Sequence, residues 1–590
     1  MLDFNDAFSK ATPEQQDIIK NASTSSAIIS CPGSGKTFTV ALRMIYRLAN
    51  WESTHSGIAL LSHTNIAITS FEKQFKELGY SALPISPHFV GTLDGFITRF
   101  LLLNFGHIVM GCEGSPTLVR GNEKIFNNQT QLNVFFSKFP INVVKLKIGI
   151  DTDGTPLFYS QEKGISYPIK QSQALQALTI LGKQGFYTHD HARYWGSKIL
   201  DEIPRLREIL ARRFPEIIVD EAQDTNIWQQ RILCNLEQAG TQLMLVGDPD
   251  QAIFEFGMGN ADHLNHHAQK KNVDNKKISK NIRSNQTIVT AIKPFGEATD
   301  MFSNNICSEQ WQGAFFIKYN TNEENSALEK FSQYIRCNKL DEKHCAVIAR
   351  SRDMVKKLTG DKSTYKSTVT HRFAKASLER DCHKNLLNAF DQCKELVLNL
   401  CEATQKWKAL ERDNTRNEIR KEFIKKLWSF VSDVENGLPC ASLKAKSEWH
   451  PQLKKALQAL CEELSSLEGF ICPQKLGVTI KNTDLSDEPI SSNVIPNKEN
   501  GIHINTVHGV KGDTFDAVLY IMTEEHLKPL VNKLKGENFN SELLKIGYVA
   551  MTRPRHLLWL AIPAKAFIKY QQLLINVGFQ HIPSQQDDYK

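Results

Sequence analysis

No two of the twelve cysteines form a C-x-x-C pair; they are scattered from Cys31 to Cys472. That spacing suggests neither a zinc site nor a disulfide framework, and leaves reduced, mostly structural thiols as the expectation. No apolar stretch approaches the roughly 20 residues of a membrane helix, so no membrane is expected among the partners. The opening residues, Met1-Leu2-Asp3-Phe4-Asn5-Asp6, are acidic and polar where an export signal needs basic and then apolar residues, which makes a cytoplasmic location the expectation. Neither sign of charge dominates: 71 Lys and Arg against 64 Asp and Glu leave +7, which suits a polyanionic partner without demanding one. Internal repeats and low-complexity tracts are lacking too.

What is present is a chain of 590 residues, too long for one hydrophobic core, so three or four domains are expected. With 41% hydrophobic and 23% charged residues it is too apolar to be disordered. Short strand-like runs occur at Ala27–Ser30, Gly57–Ser62, Glu216–Val219, Gln242–Val246, Cys345–Ala349, His503–Thr506 and Ala517–Tyr520. Helical patterns separate several of them, as in an α/β fold whose parallel sheets are buried on both faces. Two stretches break the rhythm. Residues 104–198 are mixed and turn-rich, and from Lys384 the residues Leu386, Phe390, Cys393, Val397 and Leu400 mark one face of an amphipathic helix, with further helical patterns to about Gly469. The polar stretch Asn482–Asn500 reads as a linker.

Ile28-Ile-Ser-Cys-Pro-Gly-Ser-Gly-Lys-Thr37 is a strand, a glycine-rich turn and a helix start, the context of a phosphate-binding loop. Gly33, Ser34 and Gly35 turn backbone N–H groups toward an anion at a helix N-terminus, Lys36 reaches the terminal phosphates of ATP, and Thr37 ligates Mg²⁺. Ser30 occupies the first glycine position of the strict pattern, and a turn without a ligand is the bland alternative. Glu216-Ile-Ile-Val-Asp-Glu221 supplies the complementary half: Asp220 for the metal and Glu221 to orient and deprotonate the attacking water. Acidic pairs at strand ends are commonly only solvated; four strand-forming residues and a phosphate loop in the same chain favour catalysis.

At this point the chain resembles the UvrD/Rep/PcrA group of superfamily 1A DNA helicases, whose motifs occur in order from residue 12 to about residue 555. Thr12-Pro-Glu-Gln-Gln16 resembles the Q motif, which puts Gln15 and, after the loop, Phe38 at the nucleotide. Asp220-Glu-Ala-Gln-Asp-Thr225 and Val246-Gly-Asp-Pro-Asp-Gln251 resemble motifs II and III, which makes Gln251 a sensor of the γ-phosphate. Asn281-Ile-Arg-Ser284 and Tyr548-Val-Ala-Met-Thr-Arg553 resemble motifs IV and VI, so Arg283 and Arg553 are implied arginine fingers; the alternative for either is a surface ion pair. By the same resemblance Thr64, Asn65, Thr92, Phe254, Phe256, Arg350, Thr506 and His508 are DNA contacts. On spacing alone, Phe254 and Phe256 read as core.

The resemblance implies two RecA-like P-loop domains with parallel sheets, 1–103 with 199–275 and 276–355 with 496–590, each carrying an inserted, largely helical subdomain, 104–198 and 356–495. It implies an ATP- and Mg²⁺-dependent, 3′-to-5′ DNA helicase or translocase. Several family positions have changed: Phe38 and Ile282 stand where Arg and Tyr commonly sandwich adenine, and His63, Gly257 and Thr514 replace other family residues. The motif V ending, Gly512-Asp-Thr-Phe515, is similar to that of the helicase subunit of the Gabija anti-phage system. That likeness implies a nuclease partner of the OLD type, an antiviral role, and as an alternative activity an ATP-state regulatory subunit with little unwinding of its own.

Overall fold

Runs of Ile, Val, Leu and Ala bury both faces in the central strands, and with more polar strands at the edges they build two parallel sheets. The computed structural model describes residues 4–80, 86–119, 130–151, 153–162, 165–253, 263–298, 300–320, 323–359, 368–381, 385–403, 407, 418–477, 479–482, 485, 487–493, 501–537 and 541–582. The first sheet contains β1 (Ser26–Ser30), β2 (Ile58–Ser62), β3 (Phe89–Thr92), β4 (Glu216–Val219), β5 (Gln242–Gly247) and β6 (Asp274–Ile278), in the order β6-β1-β5-β4-β2-β3. The second contains β7 (Gly313–Tyr319), β8 (Cys345–Ala349), β9 (His503–Thr506), β10 (Phe515–Ile521), β11 (Pro554–Pro563) and β12 (Gln580–His581), in the order β9-β8-β10-β11-β7-β12. Every pairing in both sheets is parallel.

All seven expected strands form within a residue or two of their expected ends. The sheet edge β6 is Asp-Asn-Lys-Lys-Ile, a polar run whose pairing with β1 periodicity does not announce; charge on an edge strand discourages pairing with other chains. Between β1 and β2 the order skips β5 and β4, so the carboxyl ends of β1, β5 and β4 open a crevice of the kind in which α/β folds bind ligands.

Both sheets belong to one compact unit, Met1–Gly121, Thr130–Val355 and Ile502–Lys590; Asn122–Gln129 and Lys356–Gly501 form a second. The core of the second sheet, with Phe316, Ile348, Tyr520 and Leu560, also takes in Cys31 and Ile253 from the phosphate loop and from the segment after β5.

The described residues of 104–198 mix helices, including Gln171–Lys183 and His189–Glu202, with short antiparallel strands such as Lys147–Ile150, Pro156–Glu162 and Ile165–Ile169. This insertion is therefore less helical than expected. Leu93–Met110 is one run of 18 helical residues with mean hydropathy 1.2, long and apolar enough by composition to cross a membrane. Its Phe96, Ile97, Leu101 and Leu102 are buried, and Asp94 accepts from Arg193 at 2.9 and 2.7 Å, ties that make it a core helix of this unit.

The second unit is helical in its described part, with Val369–Asp381, Leu386–Leu400, Glu418–Ser432 and His450–Leu464 packed around Trp449. The amphipathic face expected from Leu386 onward is turned inward, with Cys393, Val397 and Leu400 buried. The stretch expected as a linker is, where described, stitched to its own unit: Ile490 N–H donates to Leu443 O at 3.1 Å and Ser491 N–H to Ala441 O at 2.7 Å. Backbone bonding decides this, and composition does not reveal it.

Candidate active site

The turn after β1 is tied down at both ends. Ser30, in the place of the first motif glycine, donates its hydroxyl to Gly247 O of β5 at 2.9 Å, so a side chain there locks the loop to the neighbouring strand. Gly33 and Gly35 take φ of +65° and +76°, the left-handed region. A Cβ on Gly33 would meet Arg283 Cβ at 2.7 Å and Asn281 Oδ1 at 2.9 Å, so the glycine is needed because another segment lies directly on it. Ile282 N–H donates to Gly33 O at 2.9 Å in the same contact. Gln15 caps its own helix, accepting from Thr12 N–H at 2.8 Å, and donates to Ser34 O at 2.8 Å; it braces the loop from the side. Lys36 opens the helix Lys36–Ala49, and Ser34 Oγ is buried without a hydrogen-bond partner. Phe38 packs against the core that includes Ile18 and Val40, while Ile282 is exposed beside Gly35.

Opposite the loop, Thr37 Oγ1 donates to Asp220 Oδ2 at 3.3 Å, the pairing expected of two residues that share a hydrated Mg²⁺. Burial and the neighbouring Glu221 charge raise the Asp220 carboxyl to about 7. Burial raises Glu221 too, but Lys36, Lys511, the Gln223 amide and Arg553 outweigh it and hold this carboxylate down at about 2. Glu221 has φ +55°, unusual for a side chain with a Cβ and of a kind concentrated at functional sites.

A continuous chain of hydrogen bonds leads away from Glu221. Its Oε2 accepts from Gln223 Nε2; Gln223 Oε1 accepts from Asp248 N–H at 3.1 Å; Asp248 Oδ2 accepts from Gln251 Nε2 at 2.6 Å; and Gln251 Oε1 accepts from Arg553 Nη2 at 2.7 Å. Arg553 precedes β11 of the second sheet, so the chain joins the two sheets through buried groups. Arg283 lies beside it, donating from Nη1 to Thr552 O at 3.1 Å, and its loop is sewn to the start of β11 by Ser284 Oγ to Pro554 O at 2.7 Å. Burial, and then the like charge of Arg553, pull Arg283 down to about 9. Arg553, buried, and Arg283, partly buried, repel each other while Glu221 acts on both and Asp248 and Asp513 on Arg553; a polyphosphate would add further negative charge to this pair.

The structure brings together Lys36, Thr37, Asp220, Glu221, Gln251, Arg283 and Arg553. It adds three residues that motif reading left unassigned. Gln223 and Asp248 carry the inner links of the chain. Lys511, from the turn after β9, pairs with Asp224 at 2.5 Å and donates to Gln251 O at 2.8 Å. The signal was available for two of them, since Gln223 and Asp248 lie inside motifs II and III and Lys511 stands just before the motif V ending, but only the fold shows that they touch.

The nucleic-acid candidates fall at the carboxyl ends of neighbouring strands at one edge of each sheet. Thr92 ends β3 opposite Ser62 of β2, with Thr64 and Asn65 in the next turn; Thr506 ends β9 opposite Ala349 of β8, with Arg350 and His508 beside it. Thr64 and Thr92 also cap helices, accepting from Ala67 N–H at 3.3 Å and Gly95 N–H at 3.0 Å, and Thr506 Oγ1 accepts from Gly509 N–H at 3.1 Å. His508 Nε2 bonds Ile253 O at 3.3 Å. Phe254 and Phe256 lie outside the described residues, as does Gly257.

Residues 11–154 and 173–272 match the model of the UvrD/REP helicase N-terminal domain, and residues 361–565 that of the UvrD-like helicase C-terminal domain. The chain is 24% identical to the ATP-dependent DNA helicase Rep of Buchnera aphidicola over 93% of its own length and 94% of the relative's. It is 22% identical to the ATP-dependent DNA helicase PcrA of Staphylococcus aureus over 93% and 82% of the two chains, and 24% identical to PcrA of Bacillus subtilis over 51% and 40%.

Proposed function

Because the chain belongs to the UvrD/REP helicase family, we propose that it is an ATP-dependent DNA helicase or translocase moving 3′ to 5′ on single-stranded DNA. The observation that carries the proposal is the hydrogen-bond chain from Arg553 through Gln251, Asp248 and Gln223 to Glu221. It makes the group that activates water answer to the position of the second RecA-like domain. The protein's two RecA-like domains carry insertions at 104–198 and 356–495.

The phosphates of ATP lie in the turn of Gly33, Ser34 and Gly35, against Lys36, with Gln15 and Phe38 toward the base. Thr37 and Asp220 would hold Mg²⁺, which would supply Lewis-acid stabilisation of phosphate charge. Glu221, kept anionic by its cationic neighbours, orients a water and takes its proton. Gln251 senses the γ-phosphate, and Arg283 and Arg553 stabilise the charge that develops as it is transferred. Strand-end residues Thr64, Asn65, Thr92, Arg350, Thr506 and His508, with Phe254 and Phe256, hold DNA by backbone contacts and base stacking. Thr506 and Lys511 are five residues apart, one at the sheet edge and the other bonded to Asp224 and Gln251 O; this short loop is the link between the two ligands.

A second reading is a regulatory subunit whose ATP state gates an OLD-type nuclease in antiviral defence. Ile282, aliphatic and exposed beside Gly35, favours it, because adenine is then gripped less than in family members with an aromatic there. A cytoplasmic location suits the thiols, all free among the described residues. ATPase assays with and without single-stranded DNA, followed by unwinding of 3′- and 5′-tailed duplexes, test the proposal. Hydrolysis stimulated by DNA, with unwinding of the 3′-tailed duplex, is expected. Stimulation without unwinding moves the conclusion to the regulatory subunit, and no stimulation sinks both readings.

A further inference from the structure

Three thiols that the sequence keeps 60 and 11 residues apart meet in the core of the helical second unit. Cys401 caps the helix Leu386–Leu400, Cys461 sits in the last turn of His450–Leu464, and Cys472 lies in the segment that follows. Their sulfur atoms are all within 4.8 Å of one another, and Cys401 Sγ to Cys461 Sγ is 4.0 Å. The scaffold holds this arrangement by backbone bonds: Ile471 N–H donates to Cys401 O at 2.8 Å, placing Cys472 over the end of the first helix, and Ser465 N–H donates to Cys461 O at 2.9 Å. Cys401 and Cys461 are buried, while Cys472 is half-buried and provides a way in.

The distances suit metal ligation better than a disulfide. A sulfur–sulfur bond needs about 2.05 Å, so Cys401 and Cys461 would have to move together by nearly half their separation. Three thiolates each about 2.3 Å from one ion stand roughly 3.8 to 4 Å apart, whether the arrangement is tetrahedral with one open position or trigonal. Among the described residues no fourth His, Cys, Asp or Glu joins the group. An all-sulfur set of this kind selects soft, d¹⁰ ions over Mg²⁺ or Ca²⁺.

We propose that Cys401, Cys461 and Cys472 form a binding site for one thiophilic metal ion, of the Zn²⁺ class, that staples three segments of the helical unit together. The site is independent of the nucleotide chemistry, which uses none of these residues. Binding a divalent ion to the three cysteines as thiolates forms three metal–sulfur bonds and releases the thiol protons to solvent.

The test uses the full-length, reduced and chelator-washed protein, titrated with Zn²⁺ against a chromogenic chelator and separately with Cd²⁺ to read the thiolate charge-transfer band. One equivalent is expected, with the three cysteines protected from alkylation in peptide mass spectra. Cys472→Ser, at the half-buried position least needed for folding, is expected to weaken Zn²⁺ binding by about a hundredfold or more, since even groups behind the ligands are worth 10- to 100-fold. Cys337→Ser, exposed and in the other unit, is expected to change nothing. Equal affinity in wild type and Cys472→Ser, alkylation unaffected by Zn²⁺, or a Cys401–Cys461 disulfide in protein purified without reductant would each overturn the proposal.

Discussion

Arg553 donates to Gln251 Oε1 across 2.7 Å, and both residues are almost wholly buried. A bond between the two sheets in that setting is strong enough to matter and short enough to be broken by a small rotation of one RecA-like domain. Gln251→Ala is expected to lower hydrolysis about 100-fold while nucleotide affinity changes only a few-fold, because the amide acts on the developing charge more than on the bound ground state. Nucleotide titration beside steady-state turnover checks this.

Gln223 touches Glu221 and the Asp248 amide, and acts by positioning. Gln223→Ala should lower kcat with KM for ATP nearly unchanged, and Gln223→Asn should not rescue it, being one methylene too short to span both partners. A matching rise in KM would instead make this residue part of the nucleotide pocket.

Lys511 and Asp224 form an ion pair with side chains 9% and 2% exposed. Breaking a buried pair by removing one partner costs about 3–5 kcal/mol, since the other charge is left stranded. Lys511→Ala should therefore lower the Tm and weaken stimulation by DNA. Asp224→Asn in the same chain should restore much of the Tm and little of the stimulation. A double-mutant cycle measured by thermal unfolding gives the coupling.

Much of this site was legible because phosphate chemistry confines glycine, lysine and paired carboxylates to short local motifs: Gly33 to Thr37, and Asp220 with Glu221, are read from neighbours in the chain. The seven strands were legible for the same local reason, a run of apolar residues bounded by turns. Strands β7 and β11 are apolar runs of the same kind that were not singled out, but most of what could not be read depends on contacts between distant segments. The Gly33 requirement comes from Arg283, 250 residues away; the Lys511–Asp224 pair spans 287 residues; and the cysteine trio has no spacing signature. Strand β6 escaped because pairing at an edge tolerates Lys and Asp, and the segment Asp487–Ser491 because its backbone bonds leave no trace in composition.

His191 is fully buried and burial pulls its pKa from 6.5 down to about 4. The unfolded chain therefore binds this proton first as the pH falls, so the histidine's contribution to stability is complete above about pH 6.5 and is lost progressively toward pH 4, on the order of 3 kcal/mol in all. His191 also completes a capping box with Thr188, a role that Gln can fill. His191→Gln should leave the Tm near neutral pH almost unchanged and flatten its decline between pH 6.5 and 4, as thermal scans of the two proteins side by side would reveal.

The most direct measurement is single-turnover hydrolysis by Arg553→Ala at saturating ATP and single-stranded DNA, with nucleotide affinity determined on the same preparation. If ATP is held by the Lys36 loop and hydrolysed only when the second domain presents its arginines, affinity stays within a few-fold and the rate falls by about 10³ or more. A rate within a few-fold of wild type would mean that the second domain takes no part in the chemistry, and that the chain from Arg553 to Glu221 carries no signal.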